Sequence, residues 1–181
     1  MDTRFRARDT LTPDEITELY ERNNWSLFVQ AERDEATIRI GKTFEDIHSI
    51  ADLSAGGARI TPEIAAHFGV TPILGDISHQ YGYGIVGPIE ETIGQIQPVD
   101  LMVCSETLEH LEDPDWVLDL IRPKAARLLV TTPVWEEPHM TAHGHLWTWR
   151  QADVEEMFKD AGYEIDYFEE VIQMFGVWKL R

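Results

Sequence analysis

The sequence predicts an α/β protein. It should be a sandwich built on a mostly parallel seven-stranded sheet, closed by an antiparallel C-terminal hairpin strand and preceded by N-terminal accessory helices. Three observations predict it. From residue 49 onward, apolar runs of strand length alternate with stretches whose apolar residues recur at helical spacing. The most regular part, residues 99–133, reads as strand, polar turn, helix and strand. A single crossover helix of that kind joins parallel neighbours in a right-handed unit. The last two apolar runs, residues 163–171 and 175–181, lie too close together for a crossover and so pair antiparallel.

Residues 1–48 read as a helical layer laid on that core, the whole chain forming one domain. Thr12 is an N-cap followed by Pro13, and Glu15 is placed to close a capping box. Ile16, Leu19 and Tyr20 give the helix its apolar stripe, and Trp25, Leu27, Phe28 and Val29 make a second apolar patch.

The core begins with a strand at Ser49 to Leu53. Ser54-Ala55-Gly56-Gly57-Ala58 then makes a turn of small residues, and a helix starts at Thr61-Pro62-Glu63 and ends at Gly69. Such a turn lets a ligand approach the backbone closely and meet helix N–H groups. The next strand, residues 71–78, ends by presenting Asp76, 24 positions after Asp52. An acidic side chain at that place is set to accept hydrogen bonds from both hydroxyls of a ribose. A short third strand, Gly84 to Val86, and an amphipathic helix carrying Ile89, Ile93 and Ile96 follow.

The fourth strand, VDLMVCS, is an apolar run of the kind buried on both faces of a parallel sheet. A polar turn from Glu106 to Glu112 follows it. Asp113 then caps a helix with Pro114 at its first position, and Arg122-Pro123 ends it. The fifth strand, ARLLVTTP, stops at Pro133. Beyond it lies a His- and Trp-rich stretch with His139, His143, His145, Trp135, Trp147 and Trp149. Thr148 and Gln151 read as the capping box of a last helix that ends at Gly162. This order is Rossmann-like, with ligands expected at the strands' carboxyl ends, where Glu106, Glu109 and His110 lie.

Composition narrows the classes of function. With 33 acidic against 15 basic residues the formal net charge is −18, which repels phosphate backbones and makes nucleic acid a disfavoured partner. No apolar run reaches the ~20 residues of a membrane span. The basic N-terminus, MDTRFRARDT, lacks the apolar core of a signal peptide. A lone cysteine, Cys104, excludes an internal disulfide and sits mid-strand as a small core residue. A cytoplasmic protein without membrane partners is expected, and the sequence leaves its oligomeric state open.

Taken together, residues 49–181 resemble the class I S-adenosylmethionine-dependent methyltransferases, most closely the branch with an E-H-L-x-D-P turn, here Glu109-His110-Leu111-Glu112-Asp113-Pro114. The family's first motif, an acidic residue followed by alternating glycines, stands as Asp52-Leu53-Ser54-Ala55-Gly56-Gly57-Ala58. Only Gly56 falls on a family glycine, with Ser54 and Ala58 in place of the other two. The resemblance implies S-adenosylmethionine as cofactor. Asp52 is the motif's acidic residue on the cofactor side. Ser54 to Gly57, with Ala55 and Gly56 between them, would run beside its methionine part, Asp76 would hold the ribose hydroxyls, and Ile77 and Ile89 would sandwich the adenine. Ser105 and Glu106 would border the cofactor at the end of the fourth strand. Pro88 stands where the family often has an adenine-binding Asp.

Methyl transfer from a sulfonium is an in-line displacement, so His110, Glu109 and His145 are candidates for orienting an acceptor or taking its proton. A small molecule or sugar-type hydroxyl is the expected acceptor. Glu106, Glu109, His110 and the downstream HGHLWTW are also similar to the small-RNA 3′-terminal 2′-O-methyltransferases. That similarity implies Glu106, Glu109, His110 and His145 as ligands of one divalent metal. The incomplete glycine pattern opens a third possibility, a chain that keeps the fold, has lost catalysis and binds a partner protein.

Overall fold

The computed structural model describes residues 4–7, 12, 15, 31–134, 144–172 and 174–181. In chain order the strands are β1 (Phe5–Arg6), β2 (Ile50–Asp52), β3 (Ile73–Asp76), β4 (Ile85–Val86), β5 (Val99–Ser105), β6 (Ala125–Pro133), β7 (Trp147–Thr148), β8 (Ile165–Val171) and β9 (Phe175–Leu180). The helices are α1 (Ala31–Gly41), α2 (Ile60–Phe68), α3 (Ile89–Thr92), α4 (Pro114–Ile121) and α5 (Gln151–Asp160).

Seven strands form one sheet in the order β4-β3-β2-β5-β6-β9-β8. β2 to β6 pair in parallel, while β9 runs antiparallel to both β6 and β8. The order reverses between β2 and β5, and this switch point puts the ends of β2, β3 and β5 around one crevice. The expected architecture is therefore the observed one.

Side-chain alternation divides the buried strands between two cores. Leu101, Val103, Leu129 and Val177 join Ala36, Ile40 and Ile64 of α1 and α2 on one face. Met102, Cys104, Leu128, Val130 and Trp178 join Ile89, Val117, Leu118, Val154 and Phe158 of α3, α4 and α5 on the other. Cys104 is fully buried, as its place in mid-strand required.

Local signals hold at most helix ends. Asp113 Oδ1 accepts from the Trp116 N–H at 3.0 Å, with Pro114 opening α4. Gly69 takes the left-handed conformation (φ 69°) after α2, its N–H and that of Val70 returning to Ala66 and Ala65. Thr12 and Glu15 make the expected reciprocal bonds, Thr12 N–H to Glu15 Oε2 at 2.8 Å and Glu15 N–H to Thr12 Oγ1 at 3.3 Å. The rest of the helix expected at 16–20 and the apolar patch at 25–29 lie outside the described residues.

Three expectations are corrected. Thr148 does not cap the last helix. It lies in β7, paired with Phe5, and α5 begins instead after Arg150, whose N–H is accepted by Asp153 Oδ2 at 2.8 Å. The N-terminal region is not wholly an accessory helical layer. Residues 5–6 form a strand, and α1 packs on α2 as one layer of the sandwich itself. The helix carrying Ile89 is one turn only, passing into a 3₁₀ turn at Ile93–Gln95.

Candidate active site

The first half of the site is the small-residue turn after β2. Asp52 is buried at the strand end, where Thr61 Oγ1 donates to its Oδ2 at 2.6 Å and the Ser54 N–H to its Oδ1 at 3.1 Å. Burial pushes its carboxyl up to about 6, against the pull of those two donors. Ala55 N–H donates to the Gly75 carbonyl at 3.0 Å, fastening the turn to β3.

Gly56 is left-handed (φ 50°), which glycine adopts freely, and a Cβ added at Gly56 or Gly57 would meet nothing within 4 Å. The turn thus borders open space. Ala58 is also left-handed (φ 49°), so the alanine in the third glycine's place carries a cost of roughly 1–2 kcal/mol.

Asp76 closes this half. Its Oδ2 accepts the Gly56 N–H at 2.7 Å and its Oδ1 the Ser78 N–H at 2.9 Å. Burial raises its carboxyl above the ordinary range, and these backbone donors pull it back. Ile77, next in the chain, is half-buried, whereas Ile89 is 5% exposed and packs into the core.

The second half is the turn after β5. Ser105 Oγ lies 2.7 Å from Thr131 Oγ1 on β6. Thr107 Oγ1 donates to the Ser105 carbonyl at 3.1 Å, so in the 2.7 Å contact between Ser54 and Thr107 the Ser54 hydroxyl is the donor. This hydroxyl link ties the two halves together.

Glu106 has φ 52°, a conformation uncommon outside glycine. Its Oε2 is 3.1 Å from Arg33 Nη1, and its Oε1 is buried with no hydrogen-bond partner among the described residues. Burial, then the charge of Glu109, holds its carboxyl well above the ordinary carboxylate range, against Arg33.

Glu109, 1% exposed, accepts Thr132 Oγ1 on its Oε2 at 2.9 Å. The Leu146 N–H donates to the Glu109 carbonyl at 2.7 Å, which draws the segment after β6 over the turn. His145 consequently lies buried against His110, their rings edge to face at 4.7 Å. His110 Nδ1 is 3.0 Å from the Gly144 carbonyl. A carbonyl only accepts, so Nδ1 carries a proton. Ligand atoms of Glu109, His110 and His145 lie within 4.8 Å of one another.

Three of the residues proposed from sequence, Glu109, His110 and His145, meet at one place, while Glu106 is not in that group and pairs with Arg33. His139, His143 and Trp135 lie outside the described residues. Trp149 is in the core, its Nε1–H donating to the Pro133 carbonyl at 2.8 Å, and Trp147 lies under the Arg4 guanidinium, 4.2 Å away.

Sequence reasoning missed Arg33, Thr107 and Tyr83. Tyr83 donates its hydroxyl to the Gly56 carbonyl at 2.8 Å, and burial followed by the charges of Asp52 and Asp76 pushes that phenol up to about 12. Its place just before the third strand was its only signal. Arg33 gave none, since its partner Glu106 is far along the chain.

No family model matches the sequence, and no curated protein matches it. Solved structures match its fold. The [4+2]-cyclase SpnF superposes with a TM-score of 0.70 at 13% identity, over 95% of this chain and 97% of that one. A 1,6-didemethyltoxoflavin-N1-methyltransferase of Burkholderia thailandensis, with bound 1,6-didemethyltoxoflavin and S-adenosylhomocysteine, gives 0.66 at 14% identity, over 96% and 92%. A SAM-dependent methyltransferase of Aquifex aeolicus gives 0.60 at 17% identity, over 94% and 99%. The chain has the fold of the class I methyltransferases, a fold that also carries a cyclase.

Proposed function

We propose that this protein binds S-adenosylmethionine and transfers its methyl group to a small-molecule or sugar-type acceptor bearing a hydroxyl or amine. The observation that carries this reading is the Asp76 carboxylate at the end of β3, 2.7 Å from the Gly56 N–H of a turn that borders open space. The Asp76 carboxylate already accepts the Gly56 and Ser78 N–H groups, and its remaining acceptor capacity is what a ribose hydroxyl would use. The neighbours that bind S-adenosylhomocysteine on the same fold support the choice of nucleoside.

The cofactor would supply an electrophilic methyl on a sulfonium. The chain's part is then positioning. Asp76 holds the ribose, and the turn 54–57 lies beside the methionine end. Glu106 and Glu109 offer acceptors to the polar hydrogens of an incoming hydroxyl or amine. His110, oriented by the Gly144 carbonyl, is the candidate base for a hydroxyl acceptor.

Calorimetric titration with S-adenosylhomocysteine tests the reading. Wild type is expected to bind, and Asp76→Ala to bind at least about tenfold more weakly, because charge-assisted bonds of roughly 1.5–3 kcal/mol each are lost. Absence of binding at millimolar ligand would instead favour a scaffold without cofactor.

One observation favours a second reading, a metal-dependent 2′-O-methyltransferase acting on an RNA 3′ end: the convergence of Glu109, His110 and His145. Carboxylate and imidazole together suit a borderline transition metal, which would hold the two hydroxyls of a terminal ribose. Metal analysis of untagged protein tests it.

A further inference from the structure

Two adjacent glycines stand at the tip of the turn after β2, and the space a side chain would fill there is open. A Cβ added at Gly56 or Gly57 would meet nothing within 4 Å. Glycines so placed have wide conformational freedom, which a bound ligand would have to remove. Hydrogen bonds restrain the tip instead. The Ala58 N–H closes the turn on the Ala55 carbonyl at 2.7 Å, and the Gly56 N–H goes to Asp76 Oδ2 at 2.7 Å. The Gly56 carbonyl accepts from the Tyr83 hydroxyl at 2.8 Å. That phenol, raised to about 12 by burial and then by the charges of Asp52 and Asp76, keeps its proton across the neutral range and so remains a donor.

The segment between β3 and β4 brings Tyr83 to this place. It leaves Asp76 through the Ser78 N–H, which donates to Oδ1 at 2.9 Å. Ser78 Oγ accepts the Gln80 N–H at 3.2 Å and caps a single 3₁₀ turn, His79–Tyr81. Gly82 is left-handed (φ 69°), its N–H returning to the His79 carbonyl at 3.2 Å, and the chain reverses. The Tyr83 ring then stacks on that of Tyr81, with centroids 5.8 Å apart and planes at 25°. The segment thus starts on one oxygen of Asp76 and ends on the glycine held by the other.

We propose that Tyr83 is a positioning residue for the cofactor: its hydroxyl holds the Gly56 carbonyl, and this fixes the Gly56-Gly57 tip in the form that receives S-adenosylmethionine. The inference rests on the methyl-transfer reading and adds to it the residue that orders the turn before the cofactor arrives. The need for it is particular to this sequence. Ser54 and Ala58 replace two glycines, and Ala58 is left-handed (φ 49°), a conformation that persists only where surrounding contacts enforce it. Tyr83 supplies such a contact from outside the motif.

Tyr83→Phe keeps the ring and its stack on Tyr81 and removes the hydroxyl alone. Calorimetric titration of the variant with S-adenosylhomocysteine is expected to show binding about 3–10-fold weaker than that of wild type, the range of one neutral hydrogen bond. Amide hydrogen exchange, followed by NMR on the ligand-free proteins, is expected to be faster in the variant at Gly56 by about the same factor, with β5 unchanged. Equal affinity in the two proteins, or equal exchange at Gly56, would overturn the proposal. Faster exchange throughout β5 would make Tyr83 a support of the fold rather than of the turn, and would overturn it as well. The two readings fail differently. No binding of S-adenosylhomocysteine by wild type removes the methyl-transfer reading and the positioning role together, whereas equal binding by both proteins removes the role of Tyr83 alone.

Discussion

At the scale of single residues, Asp52 shows how a motif position can do structural work. Its two oxygens are occupied by Thr61 and Ser54, so it orients the turn whatever the turn binds. Its carboxyl is raised from 3.8 to about 6 by burial. The folded state therefore holds the proton more tightly than the unfolded chain, and stability from this group is complete below pH 4 and is lost as pH rises to about 6. Asp52→Asn, which cannot ionise, should escape that loss. Melting temperatures measured from pH 4 to 8 are expected to move in favour of the variant up to pH 6 and to stay parallel above it. A constant difference across the range would show that the native carboxyl is not raised. The positions of Asp52, Asp76 and Gly56 were legible in the sequence because they follow strand ends. The bond from Gly56 to Asp76 was not, because a spacing of twenty residues says nothing about direction.

At the scale of elements, a two-residue strand has a large influence on the site. β1 pairs with β7, and the Ala7 N–H donates to the Leu146 carbonyl at 2.7 Å. Arg6 reaches both oxygens of Glu112 at 2.7 Å, while Arg4 pairs with Asp115 and lies over Trp147. The N-terminal strand thus clasps the segment carrying His145 onto the turn carrying His110. The basic RFRAR stretch is legible as a charge cluster, but its acidic partners sit more than a hundred positions away, beyond any local pattern. Thr148 was misread for the same reason, its capping box being overridden by a strand pairing. A variant lacking residues 2–7 should lose these bonds without losing the sheet. Hydrogen exchange followed by mass spectrometry should show the amides of 145–149 opening roughly 10–100-fold more readily, the equivalent of about 1–3 kcal/mol, with β5 unchanged. Unaltered protection there would mean the segment holds itself.

At the scale of the whole molecule, charge bears on which of the two proposed acceptors the chain takes. The fold places a polar cluster at the carboxyl end of β5, and such a cluster can serve a sugar hydroxyl on a small molecule or on an RNA end. RNA would need more than the cluster, because its affinity comes largely from phosphates neutralised by lysine and arginine. This chain carries 15 basic residues against 33 acidic ones. Several of the basic residues that the structure describes are already spent. Arg6 is paired with Glu112, Arg33 with Asp34 and Glu106, Arg39 with Glu169 at 2.6 Å and Arg59 with Asp34. An approaching backbone therefore meets a net charge of −18, with part of the described cations already engaged by carboxylates. The expected result of a fluorescence-anisotropy titration with a short single-stranded RNA at ~0.15 M salt is no saturable binding below roughly 100 μM, tighter than which even non-specific binders fall. A small, neutral or cationic acceptor suffers no such repulsion, and its capture depends on the local geometry of Glu106, Glu109 and His110. Micromolar RNA binding that weakens steeply with added salt would show that a basic track offsets the net charge, and would move the metal-dependent reading ahead of the one proposed.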